Sequence, residues 1–122
     1  MEPLSRGMKI LSGKYKGKEI KSPTGRDIRP TLARIRESIF NILIHRFDLV
    51  FNELIILDLF AGSGSFGLES ISRGSDHTIF VDNNISSIKC INDNLARLGV
   101  VDKFTLIESD VVGFGFNKNL LG

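Results

Sequence analysis

The sequence has few of the residues that build metal sites and disulfides. It contains one cysteine, Cys90, and two histidines, His45 and His77, and it has no tryptophan. A single thiol cannot form a disulfide within the chain, and two isolated histidines offer no ligand spacing for a metal ion. We therefore expect neither a metal site nor a disulfide.

Long apolar runs are absent as well. No uncharged apolar run approaches the ~20 residues that a membrane-spanning helix needs. The first residues, MEPLSRGMKIL, lack the apolar core of a signal peptide. We expect a cytoplasmic protein without membrane contact. With 122 residues, 42% of them hydrophobic and 25% charged, the chain is expected to form one globular unit of ordinary composition.

The net charge of +2 conceals an asymmetry along the chain. Residues 1–36 contain ten lysines and arginines and three acids, whereas the remaining residues contain six and eleven. A basic front joined to an acidic body indicates two tasks, one segment binding a polyanion and the other a small molecule. We place the boundary near residue 50, so that residues 1–50 bind the polyanion and residues 51–122 form the small-molecule unit.

The basic front is expected to contain a hairpin and a helix. Residues 8–21, MKILSGKYKGKEIK, alternate apolar and basic positions around two glycines, which is typical of a short bent hairpin. Thr31, after a proline, is a candidate N-cap. From Leu32 to about Phe47 the apolar residues recur at helical spacing, which predicts an amphipathic helix. Its predicted apolar face consists of Leu32, Ile35, Ile39, Ile42 and Leu43.

The rest of the chain alternates strand and helix patterns. The apolar run Leu54-Ile-Ile-Leu57 is too short for a helix and lacks alternation, which is typical of a parallel strand buried on both faces. The alternation predicts an open parallel sheet with helices packed on it. Residues 111–122 show no helical period, although a helix should follow the third strand. The predicted elements after the first strand are a helix at 65–73, a strand at 77–82, a helix ended by Gly99 and a strand at 103–109.

A glycine-rich turn, DLFAGSGSFGLE, follows the first strand of this sheet. Its three glycines have GxGxxG spacing, which by itself fits several cofactors. Asp58 precedes the loop, where a carboxylate disfavours a pyrophosphate and favours an ammonium or sulfonium group. Asp82 and Asp110 end the next two strands, near the expected ribose and adenine. The pattern therefore predicts a site for S-adenosylmethionine, and NAD fits it less well.

The motif DLFAGSGSFGLES resembles the first motif of class I S-adenosylmethionine-dependent methyltransferases. Together with MKILSGKYKGKEI and RPTLARIRESIFNIL it resembles the bacterial RsmD family, which methylates N2 of a guanine in 16S ribosomal RNA. The resemblance covers about residues 8–110. It implies an α/β, Rossmann-like methyltransferase fold after a basic hairpin and helix, with 16S rRNA or the assembling small subunit as partner.

The resemblance also implies roles for particular residues. The glycine loop would surround the methionine part of the cofactor, Asp82 would hold the ribose and Asp110 the adenine. The hairpin would meet RNA phosphates, with Tyr15 available for stacking, although a solvated edge that blocks strand pairing is the alternative. The cofactor residues are Asp58, Phe60, Gly62, Ser63, Gly64, Gly67, Asp82 and Asp110, and the RNA residues are Lys9, Lys14, Tyr15, Lys16, Lys18, Arg29 and Thr31.

One departure from the family pattern concerns catalysis. The family's signature of Asp or Asn, Pro-Pro and an aromatic residue closes a fourth strand, and this sequence contains no Pro-Pro. We expect a chain cut off after its cofactor-binding half, inactive by itself, and no catalytic residue is assigned. The alternatives are a non-catalytic RNA- or cofactor-binding remnant, a DNA adenine methyltransferase and a nucleotide-dependent oxidoreductase.

Overall fold

The computed structural model of the protein describes residues 8–22, 30–59 and 61–110. The predicted break in pattern at residues 111–122 lies outside this part. No helix among the described residues is long and apolar enough to cross a membrane. The elements are β1 (Met8–Lys9), β2 (Glu19–Ile20), α1 (Pro30–His45), a 3₁₀ turn (Phe51–Glu53), β3 (Ile55–Leu59), α2 (Ser65–Ser72), β4 (His77–Asp82), α3 (Ile85–Leu98) and β5 (Phe104–Glu108).

The predicted hairpin is confirmed. β1 and β2 pair antiparallel, with Met8 opposite Ile20. Gly13 and Gly17 in the connecting turn have positive φ values of 89° and 83°, which glycine adopts without a steric penalty. The next helix begins at Pro30, so Thr31 lies in its first turn and the predicted N-cap is wrong. Proline suits a first helical position because it has no N–H to leave unpaired.

The predicted parallel sheet is also confirmed, in the order β3-β4-β5. Asp58, Phe80 and Leu106 are in register across the three strands, so their side chains share one face. α3 ends where Gly99 adopts φ 77°, as predicted. Since parallel strands end at one edge, the residues that follow β3, β4 and β5 lie near one another.

One apolar core joins the hairpin to the sheet. Phe80 is fully buried beneath α2 and α3, which therefore cover the same face of the sheet. The hairpin reaches this core through its inward side chains. The buried apolar members are Met8, Ile10, Ile20, Ala61, Leu68, Phe80, Ile91, Leu95, Leu98 and Val100.

The predicted apolar face of α1 is wrong. Ile35, Ile39 and Ile42 are exposed, while Arg36 and Phe40 are buried. The Phe40 ring lies 5.7 Å from the Phe51 ring, between centroids. Helical spacing shows which residues share one side of a helix, but it does not show which side packs against the rest of the protein. Among the described residues, the buried side of α1 is the adjacent one, which carries Arg36 and Phe40.

The prediction that the first strand is buried on both faces is wrong too. Ile55, Leu57 and Leu59 of β3 are 67%, 41% and 37% exposed. β3 forms an edge of the described sheet, and α2 and α3 cover only the face that carries Phe80. Within the described ranges, this apolar run therefore has one face that no helix covers.

Candidate functional site

The loop between β3 and α2 depends on glycine for its shape. Gly62 and Gly64 have φ values of 60° and 81°, in the left-handed region that other residues adopt at a cost. The Gly64 N–H donates to the Ala61 carbonyl at 2.8 Å, which closes the turn. The Ala61 N–H donates to Val81 of β4 at 3.1 Å, so the loop is fixed to the sheet edge.

Asp82 holds this loop from the neighbouring strand. It is the last residue of β4, and its Oδ2 accepts a hydrogen bond from the Gly62 N–H at 3.0 Å. Its Oδ1 accepts from the Asn84 N–H at 2.9 Å. An ionised carboxylate offers about four acceptor positions, so each oxygen can still accept a bond from a ligand hydroxyl. Asn84 in turn caps α3 by accepting from the Ser86 N–H at 2.8 Å.

Asp58 supports the loop from below. It lies next to the last residue of β3, and its Oδ2 accepts from the Gly67 N–H in the first turn of α2 at 3.0 Å. The pKa of Asp58 is raised from 3.8 to about 6, chiefly by burial; the hydrogen bond from Gly67 lowers it, and the negative charge of Asp82 adds to the rise. Among the described residues no positive charge contributes to this shift, and two neighbouring carboxylates favour a cation.

Gly67 lacks a side chain because Phe80 occupies the space. A Cβ on Gly67 would lie 2.2 Å from Phe80 Cε1, and Phe80 is fully buried. The third glycine of the motif therefore serves helix–sheet packing, as well as donating its N–H to Asp58.

The backbone donors of the loop separate two classes of ligand. A dinucleotide loop offers N–H groups and the positive end of a helix to a pyrophosphate. Here the N–H groups of Gly62 and Gly67 already donate to Asp82 and Asp58. Two carboxylates in place of two open donors disfavour an anionic ligand group and favour a cationic or hydroxyl-bearing one.

The remaining predicted cofactor residues do not all lie in the glycine loop. Ser63 lies in the loop, and its carbonyl accepts from Asn94 Nδ2 at 3.0 Å. Asp110 is exposed and follows β5 by two residues, so it is close to the same sheet edge without closing the strand itself. Phe60 lies outside the described residues.

The predicted RNA residues of the hairpin turn lie at the far end of α2 from the glycine loop. The Lys14 N–H and the Tyr15 N–H donate to Ser72 at the end of α2, at 2.8 Å to its carbonyl and 2.9 Å to its Oγ. α2 starts at the carboxyl edge of the sheet and ends at the amino edge, so the hairpin turn is remote from Asp58 and Asp82. The Lys14 ammonium lies 5.5 Å from the Tyr15 ring centroid.

The structure describes most of the other predicted RNA residues. Lys9, Lys16 and Lys18 are exposed. Thr31 is in the first turn of α1, and Arg29 lies outside the described residues.

Among the described residues, three fully buried polar residues on helices were not anticipated from the sequence. They are Arg36, Glu69 and Asn94. Each interrupts an otherwise apolar or small-residue helix face, which is a signal that a count of apolar periodicity overlooks. All three contact the backbone of the hairpin or of the residue that follows it, so they connect elements far apart in sequence.

Beside Asp58 an apolar cavity of about 320 Å³ opens between α1, β3 and α2. Ile39 and Phe40 line one side, Leu57 and Leu59 the other, and Phe66 lies at the beginning of α2. Asp58 is the charged residue of this lining. Among the described residues no group of three His, Cys, Asp or Glu side chains could hold a metal ion.

Comparison with known proteins agrees with this fold and loop. The profile of the family described as Conserved hypothetical protein 95 matches residues 8–118. The chain belongs to this family, the RsmD family. The family predicted from the sequence motifs is therefore confirmed, and so is the incomplete Rossmann-like methyltransferase fold.

Several relatives of this RsmD-family chain define how much of the family's length it spans. It is 39% identical over 103 residues to YlbH of Bacillus subtilis, and covers 54% of that protein. It is 33% identical over 91 residues to Ribosomal RNA small subunit methyltransferase D of Escherichia coli K12, and covers 44% of it. These matches take in 84% and 75% of the chain itself. The chain thus spans about half the length of the curated relatives that it matches.

Solved structures also match the fold of this chain over slightly more than half of their own length. The yhhF protein of Escherichia coli superposes with a TM-score of 0.75 at 29% identity, over 88% of this chain and 56% of that one. A hypothetical protein of Thermus thermophilus, TTHA0928, superposes with a TM-score of 0.72 at 30% identity, over 88% of this chain and 58% of that one.

Proposed function

We propose that this RsmD-family chain is the cofactor-binding half of an S-adenosylmethionine-dependent enzyme that methylates N2 of a guanine in 16S rRNA. The observation that carries the proposal is the pair of hydrogen bonds from the Gly62 and Gly67 N–H groups to Asp82 and Asp58. These bonds convert a glycine loop of dinucleotide type into an anionic site. S-adenosylmethionine, when bound, supplies an electrophilic methyl group on a cationic sulfur.

The residues of the site fit the parts of this cofactor. The spare acceptor positions of Asp82 suit the two hydroxyls of a ribose. Asp58, a largely buried carboxylate with the negative charge of Asp82 nearby, suits the cationic methionyl arm. Gly62, Ser63 and Gly64 bring the backbone close to that arm. Asp110, beyond β5, is proposed to contact the adenine.

An rRNA substrate is supported by the relatives and by the charge of the chain. Several curated relatives are named Ribosomal RNA small subunit methyltransferase D. Residues 1–36 carry a net charge of +7, and the hairpin exposes Lys9, Lys14, Lys16 and Lys18. We propose that residues 1–50, including Tyr15, Arg29 and Thr31, contact RNA, and that residues 51–122 hold the cofactor. Lysines remote from Asp58 would bind phosphates of the surrounding RNA rather than the target nucleotide.

We propose further that the 122 residues do not transfer a methyl group by themselves. The sequence contains no Pro-Pro, so the family's signature for aligning the target amino group is missing from it. Methyl transfer by direct displacement depends mainly on that alignment. This observation also supports the second candidate, a non-catalytic RNA- or cofactor-binding remnant. A DNA adenine methyltransferase is less well supported, because several of the relatives are named for ribosomal RNA.

Titration calorimetry tests the cofactor directly. We expect S-adenosylhomocysteine to bind and NADH not to bind, because the loop's donors face carboxylates. Asp58→Asn should weaken binding of S-adenosylmethionine at least tenfold, since a charge-assisted contact is lost. Asp93→Asn, at an exposed position of α3, is the matched control and should bind within about twofold of wild type.

Transfer of a labelled methyl group to 16S rRNA or to small subunits tests whether the 122 residues are inactive by themselves. We expect binding of cofactor without transfer above background. Binding of NADH in place of S-adenosylhomocysteine would contradict the cofactor, and transfer by the 122 residues would contradict the proposed inactivity. RNA binding without cofactor binding would favour an RNA-binding remnant.

A further inference from the structure

Asn94 joins the segment after the hairpin to the glycine loop. It is fully buried on α3, whose apolar residues Ile91 and Leu95 pack in the core. An unpaired amide at such a position would be costly, so each of its polar atoms needs a partner. The partners come from two segments far apart in sequence.

The first partner is the backbone of Lys21, just after β2. The Lys21 N–H donates to Asn94 Oδ1 at 2.9 Å, and Asn94 Nδ2 donates back to the Lys21 carbonyl at 3.0 Å. The side-chain amide thus pairs with this residue as a neighbouring strand would. The end of the hairpin is fixed to α3 by both bonds.

The second partner is the carbonyl of Ser63, which accepts from the same Nδ2 at 3.0 Å. Ser63 lies between Gly62 and Gly64, which both have positive φ. Glycines on both sides make more than one orientation of the Ser63–Gly64 peptide accessible. Its N–H donates to the Ala61 carbonyl within the loop, and its carbonyl is held from outside the loop by Asn94. The bond points this carbonyl toward the buried Asn94 side chain.

We infer that Asn94 is a positioning residue that sets the Ser63–Gly64 peptide for cofactor binding and couples the loop to Lys21. One amide group contacts both segments, so a change in either alters the hydrogen bonds available to the other. By linkage, a cofactor that orders the loop also orders Lys21, and a ligand that holds the hairpin end favours the cofactor. The inference rests on the proposed function for the identity of the ligand only.

The substitution Asn94→Asp keeps one bond to Lys21 and removes the bonds that Asn94 Nδ2 donates. A carboxylate still accepts from the Lys21 N–H but can donate neither to the Ser63 carbonyl nor to the Lys21 carbonyl. We expect hydrogen exchange of the Gly64 amide to accelerate at least tenfold, while the Lys21 amide stays protected. Affinity for S-adenosylhomocysteine should fall at least tenfold. Asn92→Asp, two residues away and exposed, makes the same chemical change and should alter neither quantity more than about twofold.

The wild-type protein provides a second measurement that needs no variant. Adding S-adenosylhomocysteine should slow exchange of the Lys21 amide at least threefold. The inference fails if this amide does not respond to bound ligand. It also fails if Asn94→Asp binds like wild type, or loses protection equally at all core amides. If S-adenosylhomocysteine does not bind at all, the proposed function fails, and the ligand-free exchange of Gly64 in the two variants still decides the role of Asn94.

Discussion

Asp58 combines a structural hydrogen bond with an electrostatic cost. Its carboxylate accepts from Gly67, yet burial and the charge of Asp82 raise its pKa to about 6. The folded protein therefore binds this proton more tightly than the unfolded chain does. The stability contributed by Asp58 is fully present below about pH 4 and is lost as the pH rises through about 6.

This pH dependence of stability gives a prediction for Asp58→Asn. A shift from 3.8 to about 6 corresponds to a cost on the order of 1–3 kcal/mol at pH 7.5, where the carboxylate is ionised. The amide keeps an acceptor for the Gly67 N–H and carries no charge. We expect the variant to be more stable than wild type by this amount at pH 7.5, and the difference to vanish near pH 4. Urea unfolding at pH 4, 6 and 7.5 measures it.

Asp93→Asn again serves as the control, because this carboxylate is exposed on α3. Its effect should stay within about 0.5 kcal/mol at each pH. Equal stability of Asp58→Asn and wild type at pH 7.5 would show that burying the ionised Asp58 does not destabilise the protein. A stabilised variant that binds S-adenosylmethionine poorly would mark Asp58 as a residue retained for function.

At the scale of elements, the hairpin is attached to α1 and α2 by buried charges. Glu69 of α2 is fully buried and accepts from the Leu11 N–H at 2.9 Å, the Ser12 N–H at 3.1 Å and Arg73 Nε at 2.9 Å. Arg36 of α1 donates to the Lys9 carbonyl at 2.6 Å. Burial lowers the pKa of Arg36, and the negative charge of Glu69 opposes that effect. A two-stranded hairpin is marginal alone, so these bonds hold it in place.

Glu69→Gln should therefore destabilise the protein. The amide oxygen can accept from the Leu11 N–H, but the NH₂ group then faces the Ser12 N–H and Arg73 Nε, which are also donors. The substitution also removes the negative charge that pairs with Arg73. We expect a loss of about 2–4 kcal/mol in the free energy of unfolding, measured by urea denaturation. The exposed Glu37→Gln on α1 is the control, with an expected change below about 0.5 kcal/mol. A small effect of Glu69→Gln would leave the apolar core as the main attachment of the hairpin.

The elements that the sequence predicts well are those with local signals. Gly99 ends α3 and Asp82 ends β4 where the pattern places them, because a left-handed cap and a strand end are decided by a few neighbouring residues. The direction in which α1 faces is not local. Ile35 and Ile39 match a core stripe, yet Arg36 is buried, because its partners are supplied by segments distant in sequence.

The candidate site shows the same division. Asp58, Asp82 and the loop glycines are recognisable from their spacing after two apolar strands, and the structure brings them together. Asn94 is not recognisable, because its partners Lys21 and Ser63 are 73 and 31 residues away. Hydrogen bonds across such separations depend on the assembled fold and leave no periodic pattern.

At the scale of the whole molecule, the part of the chain that the structure describes leaves several large apolar side chains exposed. Ile35, Ile39 and Ile42 of α1 are exposed, and so are the β3 side chains described above. Ile39 of α1 and Leu57 and Leu59 of β3 also line the cavity of about 320 Å³. β3 is also a sheet edge among the described residues, where N–H and C=O groups can pair with another strand. Apolar side chains beside an open edge promote association of chains.

We therefore expect the 122 residues to associate as concentration rises through the micromolar range and to enhance the fluorescence of an apolar dye. Leu57→Lys should reduce both, because a charged side chain on an edge strand opposes strand pairing. Val101→Lys is the matched control. Val101 is 86% exposed, before β5 and at the amino edge of the sheet, so its replacement should leave association unchanged. Sedimentation velocity measures the mass. A chain that stays monomeric and unfolds in one sharp transition would show that this surface is compatible with an independent fold.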